Sequence, residues 1–458
     1  MARAKKETAL TPEERLQAAL VPDWEWPYKL PENWCWTRHN SIIDIVGGAQ
    51  PEKAFFIREP KEGYVQLYQT RDYGENPVPV YIPQKYATKT TDEGDILLAR
   101  YGGSLGKVFR AHKGAYNVAL AKVIILYPEV VDDEFLYLYY YSHFYQDFCI
   151  KAGYGRSAQA GFNKSDLNEL LFPLPPFIEQ QRIVDRIEIL FAKLDEAKEK
   201  AQAVVDSFET RKAAILHKAF TGELTAKWRE EHGVGMESWK TRELAECFEI
   251  VSGIQKTPAR SPKDNPVPYL TVANVYRGRI DLSDIRYFEV TSKEIEKLKL
   301  QDKDILIVEG NGSGNEIGRC AIWHNELPLC IHQNHIIRMR RKTADILPEY
   351  ALHYLNSEAG KSIMRERSKT TAGLFNLSAG KIKTIPLPMA SLDEQSEIIH
   401  LIDSLLEKEQ QTKEAAEAVL DQIDLMKKSI LARAFRGELG TNDPSEESAV
   451  ELLKRTIL

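Results

Sequence analysis

The chain has 458 residues, 43% of them hydrophobic and 28% charged, which is typical of a globular protein with about two to four domains. No apolar run reaches the roughly 18 residues of a membrane span, and no apolar core follows the basic start, so we expect a cytoplasmic protein without a signal peptide. The net charge of −6 argues weakly against nucleic-acid binding, and five cysteines without a Cys-x-x-Cys pair indicate reduced thiols.

The first part of the chain is predicted to be a polar arm followed by a mixed globule. The arm covers residues 1–30 and contains a short helix from Thr11 to Leu20, because Thr11 can cap it and Pro12 suits its first position. The globule covers residues 31–177. Its candidate strands are 64–68, 78–82, 95–100, 107–110 and 121–127, and its candidate helix is 134–150.

A long helix is predicted next, over residues 178–221. Its apolar residues recur in alternating steps of four and three, which is the seam of a coiled coil. The seam residues are Ile183, Ile187, Leu190, Leu194, Ala197, Ala201, Val204, Phe208 and Ile215. Only Arg211 interrupts the series, Glu179 places negative charge near the start of the helix, and Gly222 is a stop signal.

The same arrangement then repeats. A linker (222–236) leads to a second globule (237–391), a second long helix (392–436) and a C-terminal tail (437–458). The Glu-Gln pair and the Phe-x-Gly-Glu-Leu motif recur 215 residues further on, at Glu394-Gln395 and Phe435, with Gly437 as the second stop signal. The second seam runs through Ile398, Ile402, Leu405, Glu409, Thr412, Ala416, Val419, Ile423, Met426 and Ile430.

The repeat predicts an α+β fold in which two α/β globules are separated by two long helices. Each helix would be about 60 Å long and apolar along one side, so it needs a partner. The equal lengths favour an intramolecular antiparallel coiled coil with pseudo-two-fold symmetry. An oligomerising coiled coil is the alternative.

Short motifs inside the two globules also correspond, although most of the intervening sequence differs. Asp95 matches Asp304, and the glycine-rich run 103–107 is echoed at 312–319. The run Gly161-Phe162-Asn163-Lys164-Ser165 is echoed by Leu374-Phe375-Asn376-Leu377-Ser378. We expect Ser165 and Ser378 to cap helices.

No catalytic, cofactor or metal site is predicted. The two Asn-Pro-Val-Pro runs lack the aromatic residue of an amino-methyltransferase loop, and no Gly-x-Gly-x-x-Gly opens a helix. The nearby Cys320, His324, Cys330, His332 and His335 fit no zinc spacing, and the ordinary alternative is strand residues of mixed burial.

The layout and motifs resemble the specificity (S) subunits of Type I restriction-modification enzymes. The resemblance covers nearly the whole chain. It rests on Phe172-Pro173-Leu174-Pro175-Pro176 before Glu179-Gln180, on Ile385-Pro386-Leu387-Pro388 before Glu394-Gln395, and on the two Phe-x-Gly-Glu-Leu endings. It implies that the globules are target recognition domains that read double-stranded DNA, and that the chain itself is not catalytic. It also implies two methyltransferase (M) and two restriction (R) subunits as partners, which would carry S-adenosylmethionine, ATP and Mg²⁺.

Antiparallel helices would present the two globules to DNA in opposite orientations, so the expected target has two different half-sites and a fixed nonspecific gap. The alternatives are a target-recognition subunit of a related bipartite-site (Type IIB-like) system, a coiled-coil adaptor that binds no DNA, or a stand-alone enzyme with a novel site.

Base reading favours Arg on guanine, Asn or Gln on adenine and small residues near thymine methyls. The loops of the first globule supply Gln69, Arg71, Arg100, Tyr101, Ser104, Lys107, Tyr154, Arg156, Gln159 and Asn163 as candidates for DNA binding. Those of the second supply Asn274, Tyr276, Arg277, Asn311, Ser313, Asn315, Lys369, Thr370, Thr371 and Asn376. For each residue the alternative role is that of a solvated loop residue, and we expect about a third of them to touch DNA.

Overall fold

A computed structural model describes residues 11–154, 161–310, 316–368 and 376–458. The chain forms two compact units. The first unit comprises Met1–Lys200 and Val419–Leu458, and the second comprises Ala201–Ala418. Each unit therefore combines one globule with a section of both long helices. Among the described residues no helix is both long and apolar enough to cross a membrane.

The first globule contains two four-stranded sheets and a separate strand pair. The central sheet is antiparallel, in the order Ile43–Gly47, Leu120–Ile125, Ile96–Ala99 and Val108–Arg110. The second sheet has the order Tyr81–Pro83, Tyr64–Tyr68, Gly114–Tyr116 and Thr90–Thr91. Cys35–Arg38 pairs with Leu171–Leu174. The helices are Pro12–Ala19, His39–Ile42, Asp133–Tyr139 and His143–Tyr154.

The second globule repeats the antiparallel central sheet. Its order is Phe248–Ser252, Ile336–Arg341, Ile305–Val308 and Cys320–Ile322. A three-stranded sheet contains Arg286–Glu289, Pro266–Leu270 and Ile331–His332, a hairpin joins Val275–Tyr276 to Arg279–Ile280, and Lys240–Glu243 pairs with Pro386–Met389. The helices are Leu244–Cys247, Ser292–Leu298, Pro348–Asn356, Glu358–Ser368 and Ala379–Lys383. The predicted α+β repeat is confirmed.

The first long helix has a break that the sequence pattern did not predict. It consists of Phe177–Asp206 and Phe208–Phe220, whereas the second runs without a break over Leu392–Ala434. At the break, the Ser207 hydroxyl donates to the carbonyl of Ala203 at 2.5 Å, a contact that often bends helices. Gly222 and Gly437 end the two helices as predicted, with left-handed φ angles of 82° and 72°.

The long helices pair in antiparallel fashion within each unit. In the first unit Lys427 contacts Asp195, and Asp424 contacts Lys198. The residue numbers therefore increase along one helix while those of their partners decrease along the other. Ile183 and Ile398 of the predicted seams are fully buried, each in its own unit. The seam prediction is wrong at four positions, which are exposed: Ala197, Thr412, Val419 and Met426.

The polar interruptions of the two seams meet each other. Arg211 Nε lies 2.6 Å from Glu409 Oε2, and Arg211 also donates to the Ser207 hydroxyl and to the Val204 carbonyl. Both side chains are about one-quarter to one-third exposed, at 31% and 23%. We therefore expect the pair to specify the register of the second-unit helices more than it adds net stability.

We expect reversal of Arg211 to Glu to destabilise the chain by about 1–2 kcal/mol, because it places two carboxylates side by side. Arg211→Glu combined with Glu409→Arg should recover most of that loss. Urea unfolding of the wild type, both single variants and the double variant measures the coupling. Additive effects of the two changes would show that the pair does not set the register.

The Glu-Gln pair at the start of each long helix anchors that helix to its globule. Glu179 is fully buried and accepts from Trp34 Nε1 at 2.7 Å and from Asn442 Nδ2 at 2.8 Å. Glu394 accepts from Trp239 Nε1 at 2.8 Å and from Arg229 Nη1 at 2.6 Å. Each carboxylate accepts hydrogen bonds from buried donors. The sequence had suggested only a favourable negative charge near the start of the helix.

The glutamines make the same three contacts in both units. Gln180 accepts from the Asp132 backbone N–H and donates to the carbonyls of Val130 and Pro175. Each partner of Gln395 lies 215 residues further on. The partners of Gln395 are Leu347, Asp345 and Ala390.

The end of each long helix packs on the globule of the unit in which it ends. The ring centroid of Phe435 lies 5.1 Å from that of Phe135 in the first unit. Phe220 lies 5.3 Å from Tyr350, the residue 215 positions after Phe135, in the second unit. Each globule therefore holds the start of one long helix and the end of the other.

The described part of the arm, residues 11–30, and the tail are integral parts of the first unit rather than loose polar segments. The helix Pro12–Ala19 begins at the predicted Thr11 cap, and Ala19 is buried. In the tail, the helix Ala449–Ile457 buries Leu453 in the same core. The linker also contains a helix, Ala226–His232, which carries the buried Arg229.

Candidate nucleic-acid interface

Two distant motifs of the first globule meet beyond the strand Ile96–Ala99. The Arg100 guanidinium lies over the Tyr101 ring at 4.7 Å, and its Nε donates to the Val118 carbonyl at 3.0 Å. The Tyr101 hydroxyl donates to Asn163 Oδ1 at 3.1 Å. The structure thus brings three predicted DNA-binding residues together. Nearby, Lys107 is exposed and Ser104 is half-buried.

The structure corrects the correspondence between the motifs that contain Asn163 and Asn376. The Phe162 backbone N–H donates to the Arg100 carbonyl, and the Leu377 N–H donates to the Glu309 carbonyl. Residue 162 therefore corresponds to 377, and Asn163 corresponds to Ser378 rather than to Asn376. Asn163 and Ser378 both occupy N-cap positions.

The capping predictions at the two serines have different outcomes. Asn163 caps the turn Lys164–Glu169, so the prediction that Ser165 is the cap is wrong. Ser378 is at the predicted cap position of Ala379–Lys383 but makes no side-chain capping hydrogen bond. Asn376 is exposed, and its carbonyl accepts from Lys381 Nζ at 2.9 Å.

Gln69 and Arg71 belong to a turn beside an aromatic cluster in the first globule. Gln69 caps the turn Thr70–Tyr73, and Arg71 is exposed within it. The rings of Tyr73 and His112 are stacked at 5.7 Å. Burial raises the pKa of Tyr73 to about 12, so its hydroxyl stays neutral at pH 7. The planar ring surface beside Arg71 is suited to contact with a base or sugar.

A hairpin in the second globule presents Tyr276 between two guanidinium groups. Arg279 lies 4.6 Å and Arg319 5.5 Å from the Tyr276 ring centroid, and Tyr276 is 38% exposed. Arg277 follows Tyr276 in the turn and donates to the Ile317 carbonyl at 3.1 Å. The sequence analysis missed Arg279 and Arg319, although the spacing of Arg277 and Arg279 around Gly278 was a signal for the first.

Asn274 is the candidate whose side chain the structure commits to a structural role. It is 2% exposed, accepts from the Thr271 backbone N–H and hydroxyl, and donates to the carbonyls of Asp281 and Asp284. These bonds use the hydrogen-bonding capacity of the amide. Asn274 therefore shapes the loop that precedes the Tyr276 hairpin, and no base edge can reach it in this structure.

The remaining candidates lie outside the residues whose side chains the structure describes. They are Tyr154, Arg156, Gln159, Asn311, Ser313, Asn315, Lys369, Thr370 and Thr371. Together with the exposed candidates above, they stay predictions.

The cysteines and histidines of the second globule are engaged separately. Cys320 and Cys330 are buried, as are the other three free cysteines. His332 Nδ1 lies 2.9 Å from the Ile336 carbonyl, and burial lowers its pKa to about 4. Across the described ranges, no group of three or more such side chains could hold a metal ion.

The exposed groups suit recognition of a duplex. Guanidinium and amide groups can bond to base edges, and lysines and hydroxyls to phosphates. The corresponding positions differ in charge, because Glu309 takes the place of Arg100. The two globules thus share a scaffold but offer different loop chemistry.

Comparisons with known proteins assign the class. The family model of the Type I restriction modification DNA specificity domain matches residues 31–205 and 236–420. The chain is 28% identical over 433 residues to the specificity subunit of the Type I restriction enzyme EcoKI of Escherichia coli K12, covering 90% of each chain. It is 24% identical over 437 residues to the StySPI specificity subunit of Salmonella potsdam, again covering 90% of each.

A solved structure has the same fold. The HsdS subunit from Thermoanaerobacter tengcongensis matches 90% of this chain and 99% of its own, with a TM-score of 0.61 and 19% identity. Two matched specificity domains in one chain define a DNA-recognition protein rather than a catalytic one. The chain belongs to the family of Type I restriction-modification specificity subunits.

Proposed function

We propose that this chain reads a bipartite DNA target, with one half-site for each globule and a nonspecific gap of fixed length between them. The observation that carries the proposal is the duplicated anchoring of helices to globules. Glu179 and Glu394 bind an indole N–H in equivalent positions, although the exposed loops of the two globules differ. A shared scaffold with different loops is suited to two domains that each recognise a different DNA sequence.

The proposed reading residues are exposed or half-buried groups at the loops. In the first globule Arg71, Arg100, Tyr101 and Lys107 are arranged around planar rings or strand ends. In the second, Tyr276 and its flanking arginines form a comparable surface. An Arg bonded to a guanine edge contributes about 1–3 kcal/mol of discrimination, whereas contacts with phosphate set position.

The proposed partners are two M subunits and two R subunits, assembled on this chain in the cytoplasm. The described residues offer no cluster for a metal, and the sequence offers no phosphate or cofactor loop. We assign S-adenosylmethionine, ATP and Mg²⁺ to those partners. The net charge of −6 suits a subunit that shares the DNA backbone with them.

Sequencing of methylated bases in the host, with and without this gene, tests the proposal. The wild-type strain should show one methylated motif of two short halves at constant separation, and deletion of the gene should remove it. Persistence of every methylated motif after deletion, or loss of a continuous undivided motif, would contradict the proposed bipartite reading.

A further inference from the structure

One position in the central sheet carries opposite charges in the two globules. The strands Ile96–Ala99 and Ile305–Val308 occupy the same place in the order of the two sheets. The residue that directly follows the strand is Arg100 in the first globule and Glu309 in the second. We call this place the strand-end position. A change from a guanidinium to a carboxylate reverses the chemistry that the position offers to a ligand.

The backbone at the strand-end position is held in the same way in both globules. The N–H of this residue donates to a carbonyl that precedes the neighbouring strand, and its own carbonyl accepts from an N–H of a distant segment. The partners are Ala119 and Phe162 for Arg100, and His335 and Leu377 for Glu309. All four hydrogen bonds measure between 2.8 and 3.2 Å. The scaffold is therefore shared, and the side chains make the difference.

The Arg100 side chain is held in place by neutral groups. Its Nε donates to the Val118 carbonyl at 3.0 Å, and its guanidinium lies 4.7 Å from the Tyr101 ring centroid. A Cβ atom on Gly47 would come within 2.7 Å of Arg100 Nη2, so the glycine makes room for the guanidinium. Within the described ranges Arg100 forms no ion pair. Its two terminal nitrogens can therefore donate to a ligand at this half-buried site.

The Glu309 side chain offers acceptors in the same place. Its Oε2 lies 3.3 Å from Nδ1 of His335, and the two side chains are 18% and 55% exposed. A carboxylate has about four acceptor sites, so this one contact leaves others for a donor on a ligand. A carboxylate repels phosphate, but it can accept a hydrogen bond from the 4-amino group of cytosine. On a surface that binds DNA, Glu309 is therefore suited to a base and not to the backbone.

We infer that the strand-end position determines one G·C pair in each half-site, with Arg100 donating to the guanine edge in one half and Glu309 accepting from the cytosine amino group in the other. This inference rests on the proposed function, and it adds Glu309, which the sequence analysis did not select, to the specificity-determining residues. Because the two charges are opposite, the position cannot serve a phosphate contact common to both globules. Both side chains can bond to a base edge.

Glutamine substitutions in the full complex test the inference. Glutamine is similar in size to glutamate and bonds preferentially to adenine. Arg100→Gln and Glu309→Gln should therefore each lower the preference for G·C over A·T at a single position about tenfold or more, measured by binding to duplexes that carry each base pair there. Sequencing of methylated bases should show the two changes in different halves of the motif. A change in the same half, at several positions, or at none would overturn the inference.

The shape of the loss distinguishes base reading from a structural role. A residue that only supports its loop would, when replaced, weaken binding to every duplex equally and leave the motif unaltered, and that result would also overturn the inference. Arg38→Gln and Glu296→Gln are the matched controls. Arg38 pairs with Glu25 beside another strand, and Glu296 is exposed on the helix Ser292–Leu298. Both controls should keep the wild-type motif.

Modified bases give a readout on the wild-type complex, which does not depend on the folding of a variant. At the assigned pair, 7-deazaguanine removes the N7 acceptor that Arg100 would use, and 2-pyrimidinone removes the amino group that Glu309 would bind. Each should weaken wild-type binding about tenfold, and neither should weaken further the binding of Arg100→Ala or Glu309→Ala, respectively. Equal losses in the wild type and the alanine variant would overturn the inference, as would full binding of both modified duplexes by the wild type.

These experiments separate failure of the inference from failure of the proposed function. If the wild-type strain has no methylated motif in two halves, the proposed function fails and the inference fails with it. If the motif has two halves but one of them lacks a G·C pair, only the assignment of the strand-end position fails.

Discussion

Replacing Glu394 with glutamine is expected to destabilise the second unit by about 3 kcal/mol, whereas the same change at Glu179 should cost about 1 kcal/mol or less in the first unit. The two carboxylates occupy equivalent places but have different donors. Glu394 Oε1 accepts from Arg229, whose side chain is only 8% exposed, and Oε2 accepts from Trp239 Nε1. The carbonyl of a glutamine at this position can accept from only one of these two donors. The substitution also leaves the Arg229 guanidinium without a counterion.

Within the described part of the chain, the groups that donate hydrogen bonds to Glu179 are neutral. Its Oε2 accepts from Trp34 Nε1 and Asn442 Nδ2, and its Oε1 accepts from the Thr441 hydroxyl at 3.2 Å. A glutamine carbonyl can replace Oε2, and its NH₂ group can donate to the hydroxyl oxygen. Replacement of Glu179 by alanine, in contrast, leaves the buried Trp34 and Asn442 donors unsatisfied and should cost several kcal/mol.

Denaturant unfolding of the four variants, Glu-to-Gln and Glu-to-Ala at each site, gives the comparison. Tryptophan fluorescence follows both anchors, because Trp34 and Trp239 contact the two carboxylates directly. Equal losses for Glu179→Gln and Glu394→Gln would show that Arg229 does not depend on the Glu394 charge.

The sequence predicted the repeat and the long helices well because both leave periodic signals. The 215-residue spacing of the Glu-Gln pairs has a direct structural cause, since each pair ties a helix to its globule through equivalent bonds. The strand predicted at 64–68 has the observed bounds, Tyr64–Tyr68. The single aromatic helix predicted over 134–150 is two helices, Asp133–Tyr139 and His143–Tyr154, because tertiary packing interrupts a continuous apolar pattern.

The contacts of the arm, linker and tail could not be predicted because they depend on distant partners. Asn33 Nδ2 donates to the Asp443 carbonyl across 410 positions of the chain. The linker residue Arg229 is buried against Glu394, yet the linker composition resembles that of an exposed helix. Periodicity identifies which face of a helix is buried, but it does not identify the segment that covers it.

The candidate interface was predictable by residue type but not by individual residue. A backbone hydrogen bond from the Phe162 N–H to the Arg100 carbonyl brings Asn163 close to Arg100 and Tyr101. In sequence, Asn274 looks like an asparagine that could bond to a base. In the structure, however, its side-chain amide makes hydrogen bonds within its own loop. Arg319, which directly precedes the strand Cys320–Ile322, contacts Tyr276 from a distant part of the chain, and no local pattern predicts such a contact.

Exchange of the second globule is expected to change one half of the target completely and to leave the other half unchanged. The structure sets the boundaries of the exchange at residues 244 and 385. The strand Lys240–Glu243 pairs with Pro386–Met389, and Trp239 binds Glu394, so these anchoring elements stay in place. The reciprocal control exchanges residues 39–170 and keeps the pair Cys35–Arg38 with Leu171–Leu174.

Sequencing of methylated bases in strains that carry either exchange is the most direct test of independent reading by the two globules. We expect each exchange to replace one half-site, the two exchanges to replace different halves, and the gap to keep its length. A single exchange that alters both halves, or two exchanges that alter the same half, would contradict independent reading.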